Sequence, residues 1–208
     1  MPDAPRILIV NGSTAFGGRL AAMAALAQKA AEQAGGVVSQ CDLSTIDLPI
    51  MSLEDPRQRR LPIVVALRKL AADTDGFILL TPEYHGNMSG ALKNWFDFLY
   101  LELAGKFAGI MAVTGGGGGD MSVTAVKNSF NWCHGFTLPF HAVGKPEDFV
   151  GGTIVNEKLI ERVFRIGYDV VRYAPIIRAT FDAARTSGPG LAPWESGVAG
   201  VHRTPETT

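Results

Sequence analysis

Short, continuous apolar runs alternate along this chain with longer stretches in which apolar positions recur every three or four residues. Residues 6–10 (RILIV), 37–43, 76–81 (GFILLT), 107–114 (FAGIMAVT) and 137–143 (TLPFHAV) read as strands. The first, third and fourth show no polar phase, as expected of strands covered on both faces. The helical period predicts helices over 17–34, 63–72, 89–103, 121–132 and 157–173. Parallel neighbours need crossover helices, so this alternation predicts an α/β fold, a doubly wound five-stranded parallel sheet with helices on both faces. Pro139 suits an edge position for the last strand. From Thr186 the chain (TSGPGLAPWESGVAGVHRTPETT) loses periodicity and gains Gly, Pro and Ser. Residues 1–185 are therefore expected to form one domain, and 186–208 an irregular extension.

With 208 residues and 47% hydrophobic content, the chain is long enough to bury one sizeable core. Nineteen basic against twenty acidic residues leave a net charge of −1, which provides no field for nucleic acid or an anionic membrane. Cys41 and Cys133 lie far apart without metal-ligand spacing, pointing to reduced thiols and a cytoplasmic protein. The apolar run at 7–10 is too short for a signal peptide or a membrane span.

Three strand-to-helix loops carry the candidate chemistry, at the sheet edge where open α/β folds bind ligands. After the first strand, NGSTAFGGRL sets small hydroxyl and glycine residues at the entrance to a helix. Free N–H groups at the positive end of a helix suit a phosphate, and the alternative is a plain cap on Ser13 or Thr14. After the third strand, TPEYHGN offers an aromatic ring, a carboxylate, an imidazole and the backbone amides around Pro82 and Gly86. That mix suits a flat, partly polar ring system better than a metal, because His85 has only Glu83 nearby as a second ligand. Taken singly, Tyr84 also fits an ordinary surface aromatic and Glu83 a solvated turn carboxylate. After the fourth strand, Thr114 precedes five consecutive glycines and Asp120. Such a run costs backbone entropy and makes sense where the main chain approaches a ligand closely, the alternative being a hinge. In the sheet order 2-1-3-4-5 the three loops are neighbours at the switch point.

The segments NGS, LTPEYHGNMSGALKNWFDFL and VTGGGGG resemble the NADPH-dependent FMN reductase family of flavodoxin-like proteins, with azo-, quinone- and chromate-reducing members. The resemblance spans residues 7–143. It implies a flavodoxin-like fold and an oxidoreductase with FMN as cofactor and NADPH as hydride donor, reducing a quinone, azo compound, metal oxyanion or free flavin. It further implies that Ser13 and its loop hold the FMN phosphate. Pro82, Glu83, Tyr84, His85, Gly86 and Asn87 would border the isoalloxazine and ribityl chain, and Thr114, Gly115, Gly116 and Gly117 would flank the ring. Ala15 and Gly18 stand where the family carries arginine and serine, and Arg19 is the candidate to restore the positive charge. No catalytic side chain is implied, since the flavin carries the chemistry.

Two other readings stay open. One is a reductase that hands reduced FMN to a monooxygenase. The other is a flavodoxin-like electron carrier or regulatory module, and a net charge of −1 counts against an acidic carrier. Finally, the helix expected over 89–103 is apolar nearly all round, more than one face of a sheet requires. A second subunit is expected to cover the surplus in a homodimer or homotetramer, the alternative being that the C-terminal tail, with Leu191 and Trp194, folds back over it.

Overall fold

Along each central strand the side chains alternate between two separate apolar cores, which is why these runs lack a polar phase. In the computed structural model, which describes residues 4–186, 197–198 and 201–202, β1 (Arg6–Asn11), β2 (Val37–Asp42), β3 (Gly76–Pro82) and β4 (Phe107–Val113) pair in parallel. The expected fifth strand is split by residues 138–141, which include Pro139. Its two pieces, β5 (Phe136–Thr137) and β6 (Ala142–Gly144), each pair in parallel with β4. The order is β2-β1-β3-β4-β5, the flavodoxin-like order expected from the sequence.

Two helices, α1 (Gly18–Gln33) and α5 (Glu157–Thr186), cover one face, where Ile7, Ile9, Ile78, Leu80 and Met111 meet Leu20, Met23, Ala27, Val163 and Ile166. The other face holds α2 (Pro62–Asp73), α3 (Gly90–Asp97) and α4 (Asp120–Trp132), which pack Val64, Leu67, Leu92, Trp95, Val126 and Phe130 onto Leu8, Val10, Phe77 and Leu79. Phe77 meets Trp95 and Phe130 edge-on, with centroids 6.2 and 5.6 Å apart. Each such pair contributes about 0.5–1.5 kcal/mol beyond the area buried. Small residues set how closely α1 and α5 approach, since a Cβ on Gly167 would lie 2.6 Å from that of Ala30.

Two helices end elsewhere than their pattern predicts. Instead of running to 103, α3 stops at Asp97 and is followed by a 3-10 turn, Leu101–Leu103. That break turns Phe98, Leu99 and Leu103 into the core beside Leu92, Trp95 and Phe96. Most of the surplus apolar surface expected on this helix thus covers the chain's own sheet, while Tyr100 and Leu101 stay exposed. On the opposite face α5 continues past 173 to Thr186, straight through Pro175. Beyond β6 the chain adds the hairpins β7 (Phe149–Val150) with β8 (Thr153–Ile154) and β9 (Gly197–Val198) with β10 (Val201–His202). The rest of the extension expected over 186–208 lies outside the described residues.

Lys106 opens the segment leading into β4 and is fully buried. Its Nζ donates to the carbonyl oxygens of Ala71 and Ala72 at the end of α2, and lies 5.8 Å from the Phe77 ring centre. Burial pushes this ammonium down to a pKa of about 7. Cys41 and Cys133 are free and buried, and burial pushes both thiols up to about 11, so both are protonated at neutral pH. Among the described residues, no helix is long and apolar enough to cross a membrane.

Candidate functional site

Strand register brings the three expected loops to one edge. Asn11 lies opposite Leu80, Pro82 opposite Val113, and Val113 opposite Gly144, so the segments after β1, β3 and β4 emerge side by side. Cross-links then lock them together. Ser89 Oγ donates to the Gly12 carbonyl at 2.5 Å while accepting from the Leu92 N–H at 3.1 Å, which caps α3. The Ser89 N–H donates to Thr81 Oγ1 at 2.9 Å. Arg19 Nη1 reaches the Thr114 carbonyl at 3.1 Å and ties the first loop to the third. The cation therefore stands between the two loops rather than in open solvent.

Neither Ser13 nor Thr14 caps α1. Ser13 is buried and closes a local turn, its Oγ accepting from the Ala15 N–H at 3.0 Å and donating to the Ala15 carbonyl at 3.1 Å. The helix opens four residues on through Gly17 (φ 76°) and Gly18 (φ 78°), conformations that glycine adopts without strain. No side chain caps α1 and its first turn holds no acidic residue. An uncapped helix start presents free N–H groups and the positive end of its dipole, a setting that fits a phosphate.

The second loop is a tight hairpin turn. Tyr84 and Asn87 exchange N–H···O bonds of 3.0 Å in both directions, and His85 (φ 52°) and Gly86 (φ 72°) between them are both left-handed. This is the two-residue geometry with positive φ at both central positions. It holds Tyr84 and His85 out at the tip, while Pro82 stays buried as the last residue of β3 and Asn87 Oδ1 accepts from the Met88 N–H at 2.8 Å. Glu83 turns the other way, towards the glycine run. Its Oε1 accepts from Thr114 Oγ1 at 3.4 Å, and its Oε2 accepts from the Ser122 N–H at 3.3 Å, in the first turn of α4.

Within the glycine run the positions differ in kind. Thr114 Oγ1 accepts the N–H of Gly117 at 3.0 Å, and a Cβ on Gly117 would lie 2.8 Å from Glu83 Oε1. A Cβ on Gly115 or Gly116 would meet nothing within 4 Å. Gly117 is small because the protein itself is close, whereas Gly115 and Gly116 border free space against which a flat ring can lie. All twelve expected site residues, Ser13, Arg19, Pro82 to Asn87 and Thr114 to Gly117, thus belong to one contiguous edge. Three partners escaped the sequence reading. Ser89 was legible only as a helix cap, Ser122 carried no signal, and Met121 packs its sulfur and methyl over Gly86 from an exposed position.

The family model described as NADPH-dependent FMN reductase matches residues 5–149. The chain belongs to that family. It is an FMN- and NADPH-dependent oxidoreductase by family and a flavodoxin-like protein by fold. Over 170 residues it is 33% identical to an NADPH azoreductase of Bacillus sp. (strain OY1-2), covering 80% of this chain and 89% of the relative. A probable NADPH:quinone oxidoreductase 2 of Oryza sativa subsp. japonica is 28% identical over 155 residues, 72% of this chain and 73% of the relative. Among solved structures, the apo form of the NADH:FMN oxidoreductase EMOB superposes with a TM-score of 0.66 at 15% identity, covering 94% of this chain and 96% of that one.

Proposed function

We propose that this FMN reductase takes hydride from NADPH and delivers electrons to a quinone, azo compound, metal oxyanion or free flavin, with donor and acceptor using one open face of the flavin in turn. The observation that carries this reading is the uncapped start of α1 standing beside the free space over Gly115 and Gly116. When bound, FMN supplies the two-electron chemistry. The N–H groups at the start of α1 and the Ser13 turn would hold its phosphate, with charge-assisted hydrogen bonds worth about 1.5–3 kcal/mol each. Arg19, fixed against Thr114, adds a cation beside that dianion. Pro82 to Asn87 and Thr114 to Gly117 would border the ring and leave one face open. The names of the azoreductase and quinone oxidoreductase relatives support the acceptor class.

An absorbance scan of the purified protein, followed by anaerobic NADPH, tests the reading. A flavin band that NADPH bleaches, followed by parallel initial-rate lines for donor and acceptor, is the expected result. A colourless protein that fails to quench FMN fluorescence overturns it. FMN should bind more tightly than FAD, because the uncapped start of α1 suits a terminal phosphate. We further place the enzyme in the cytoplasm as a homodimer or homotetramer. Free Cys41 and Cys133 support the compartment, and exposed Tyr100 and Trp132, which line one hollow at the ends of α3 and α4, support the assembly. A native mass of 22.2 kDa would refute the assembly.

A further inference from the structure

On the far side of the glycine run lies a second hollow of about 430 Å³. Gly118 and Asp120, which follow Gly115 to Gly117 in the chain, line one side, and the 145–148 turn and the start of α5 line the other. Two of its three carboxylates are already engaged. Asp120 Oδ1 lies 2.9 Å from His141 Nε2, and buried Asp148 accepts from the Lys145 N–H at 2.7 Å and from Asn156 Nδ2 at 2.6 Å. Only Glu147 has no such partner among the described residues.

The cations are in the opposite condition. Lys145, Lys158 and Arg162 line the same hollow, with Lys158 and Arg162 one turn apart on α5. None of the three has a carboxylate within ion-pair distance among the described residues, although Arg68, Lys69, Lys93, Arg165 and Arg178 each have one. Three unpaired cations from two segments, gathered on one concavity, form a receptor for a group with more than one negative charge. A phosphate monoester carries about −1.5 to −2 at neutral pH, and an arginine fork matches its oxygens two at a time.

We propose that this hollow holds the 2′-phosphate of NADPH, with Lys145, Lys158 and Arg162 as its ligands and as the residues that separate NADPH from NADH. The proposal rests on the reading that the nicotinamide meets the flavin over Gly115 and Gly116. From there the dinucleotide passes across Gly118, which follows the site residues Thr114 to Gly117 in the chain and lines the hollow, and its adenosine end enters the hollow. NADH carries a hydroxyl at that position and leaves the three cations as they are.

The test compares the wild type with Lys145→Ala/Arg162→Ala, both changes at exposed side chains. Three measurements are needed: FMN affinity by fluorescence quenching, kcat and KM for NADPH and for NADH, and calorimetric binding of 2′,5′-ADP to the flavin-loaded protein. The wild type should prefer NADPH. In the variant the NADPH:NADH ratio of kcat/KM should fall at least tenfold through the KM for NADPH, and 2′,5′-ADP should weaken in parallel. FMN quenching should stay as it was. Equal losses for NADPH and NADH would assign the cations to the shared pyrophosphate and overturn the proposal, as would an unchanged ratio or a wild type indifferent to the two nucleotides. A wild type that binds no FMN would instead overturn the flavin reading on which the proposal stands, and the two failures are thereby distinct.

Discussion

Replacing Lys106 with methionine should flatten one stretch of the stability–pH curve. The Lys106 ammonium is fully buried, donates to the carbonyls of Ala71 and Ala72, and faces the Phe77 ring. Burial is the largest cause of its depressed pKa of about 7. Arg178 and Arg6 add to the depression, and Asp75 and Asp73 oppose it. In the unfolded chain the same lysine titrates near ~10.4. Between those two values the unfolded chain holds a proton that the folded chain has released. Stability from this group is therefore fully present above the unfolded value and is lost as pH falls through about 7. The limiting slope is about 1.4 kcal/mol per pH unit, or roughly 2–3 kcal/mol from pH 7 to 9. The wild-type curve alone would blur this, because Cys41 and Cys133 have folded values raised from 9.0 to about 11 and lose stability as pH climbs through that range. Subtracting the Lys106→Met curve cancels the thiols. Urea unfolding at several pH values should show the wild type gaining roughly 2–3 kcal/mol on the variant from pH 7 to 9, with the gap constant well below pH 7. The two carbonyls left without a donor add a pH-independent offset of about 1–3 kcal/mol each. Parallel curves across the whole range would refute the reasoning.

Three further outcomes follow from the site and the core. Gly116→Val places its side chain where nothing stands within 4 Å, so thermal stability should hold while FMN quenching weakens strongly; retained affinity would make the glycine run a hinge. Arg19→Ala removes both a cation and the bond to the Thr114 carbonyl, and should weaken FMN while riboflavin, which lacks the phosphate, binds as before; equal losses would mean that the arginine acts through loop packing. Trp95→Glu puts a carboxylate into the core between Phe77 and Phe96, and should abolish the cooperative thermal transition rather than release folded monomers. A folded, soluble variant of unchanged melting temperature would contradict that placement.

Where burial on both faces decides an element, it was legible from the chain. The unphased runs that became β1, β3 and β4 can sit nowhere but the middle of a covered sheet, and their order places the three loops together. Elements whose ends are decided by distant contacts were not legible. A proline in a helix interior costs about 3 kcal/mol, which is why the local pattern ends α5 before Pro175. The helix nevertheless continues, with Ala174 and Phe181 buried and the Phe181 ring filling the space over Gly105. Likewise Phe98 and Leu99 keep a helical period, but the chain breaks at Asp97 so that they enter the core. The loop after β1 shows the same limit at the site itself. Its Ser and Thr are residues that usually cap a helix, yet two left-handed glycines delay the start of α1 and leave that start uncapped. Local propensity and ligand binding make opposite demands on such a loop. A capped helix satisfies its own N–H groups, and an uncapped one keeps them for an anion. The three cations beside Gly118 illustrate the remaining case: Lys145 is separated from Lys158 and Arg162 by a hairpin, no spacing rule joins them, and only the fold brings them to one concavity.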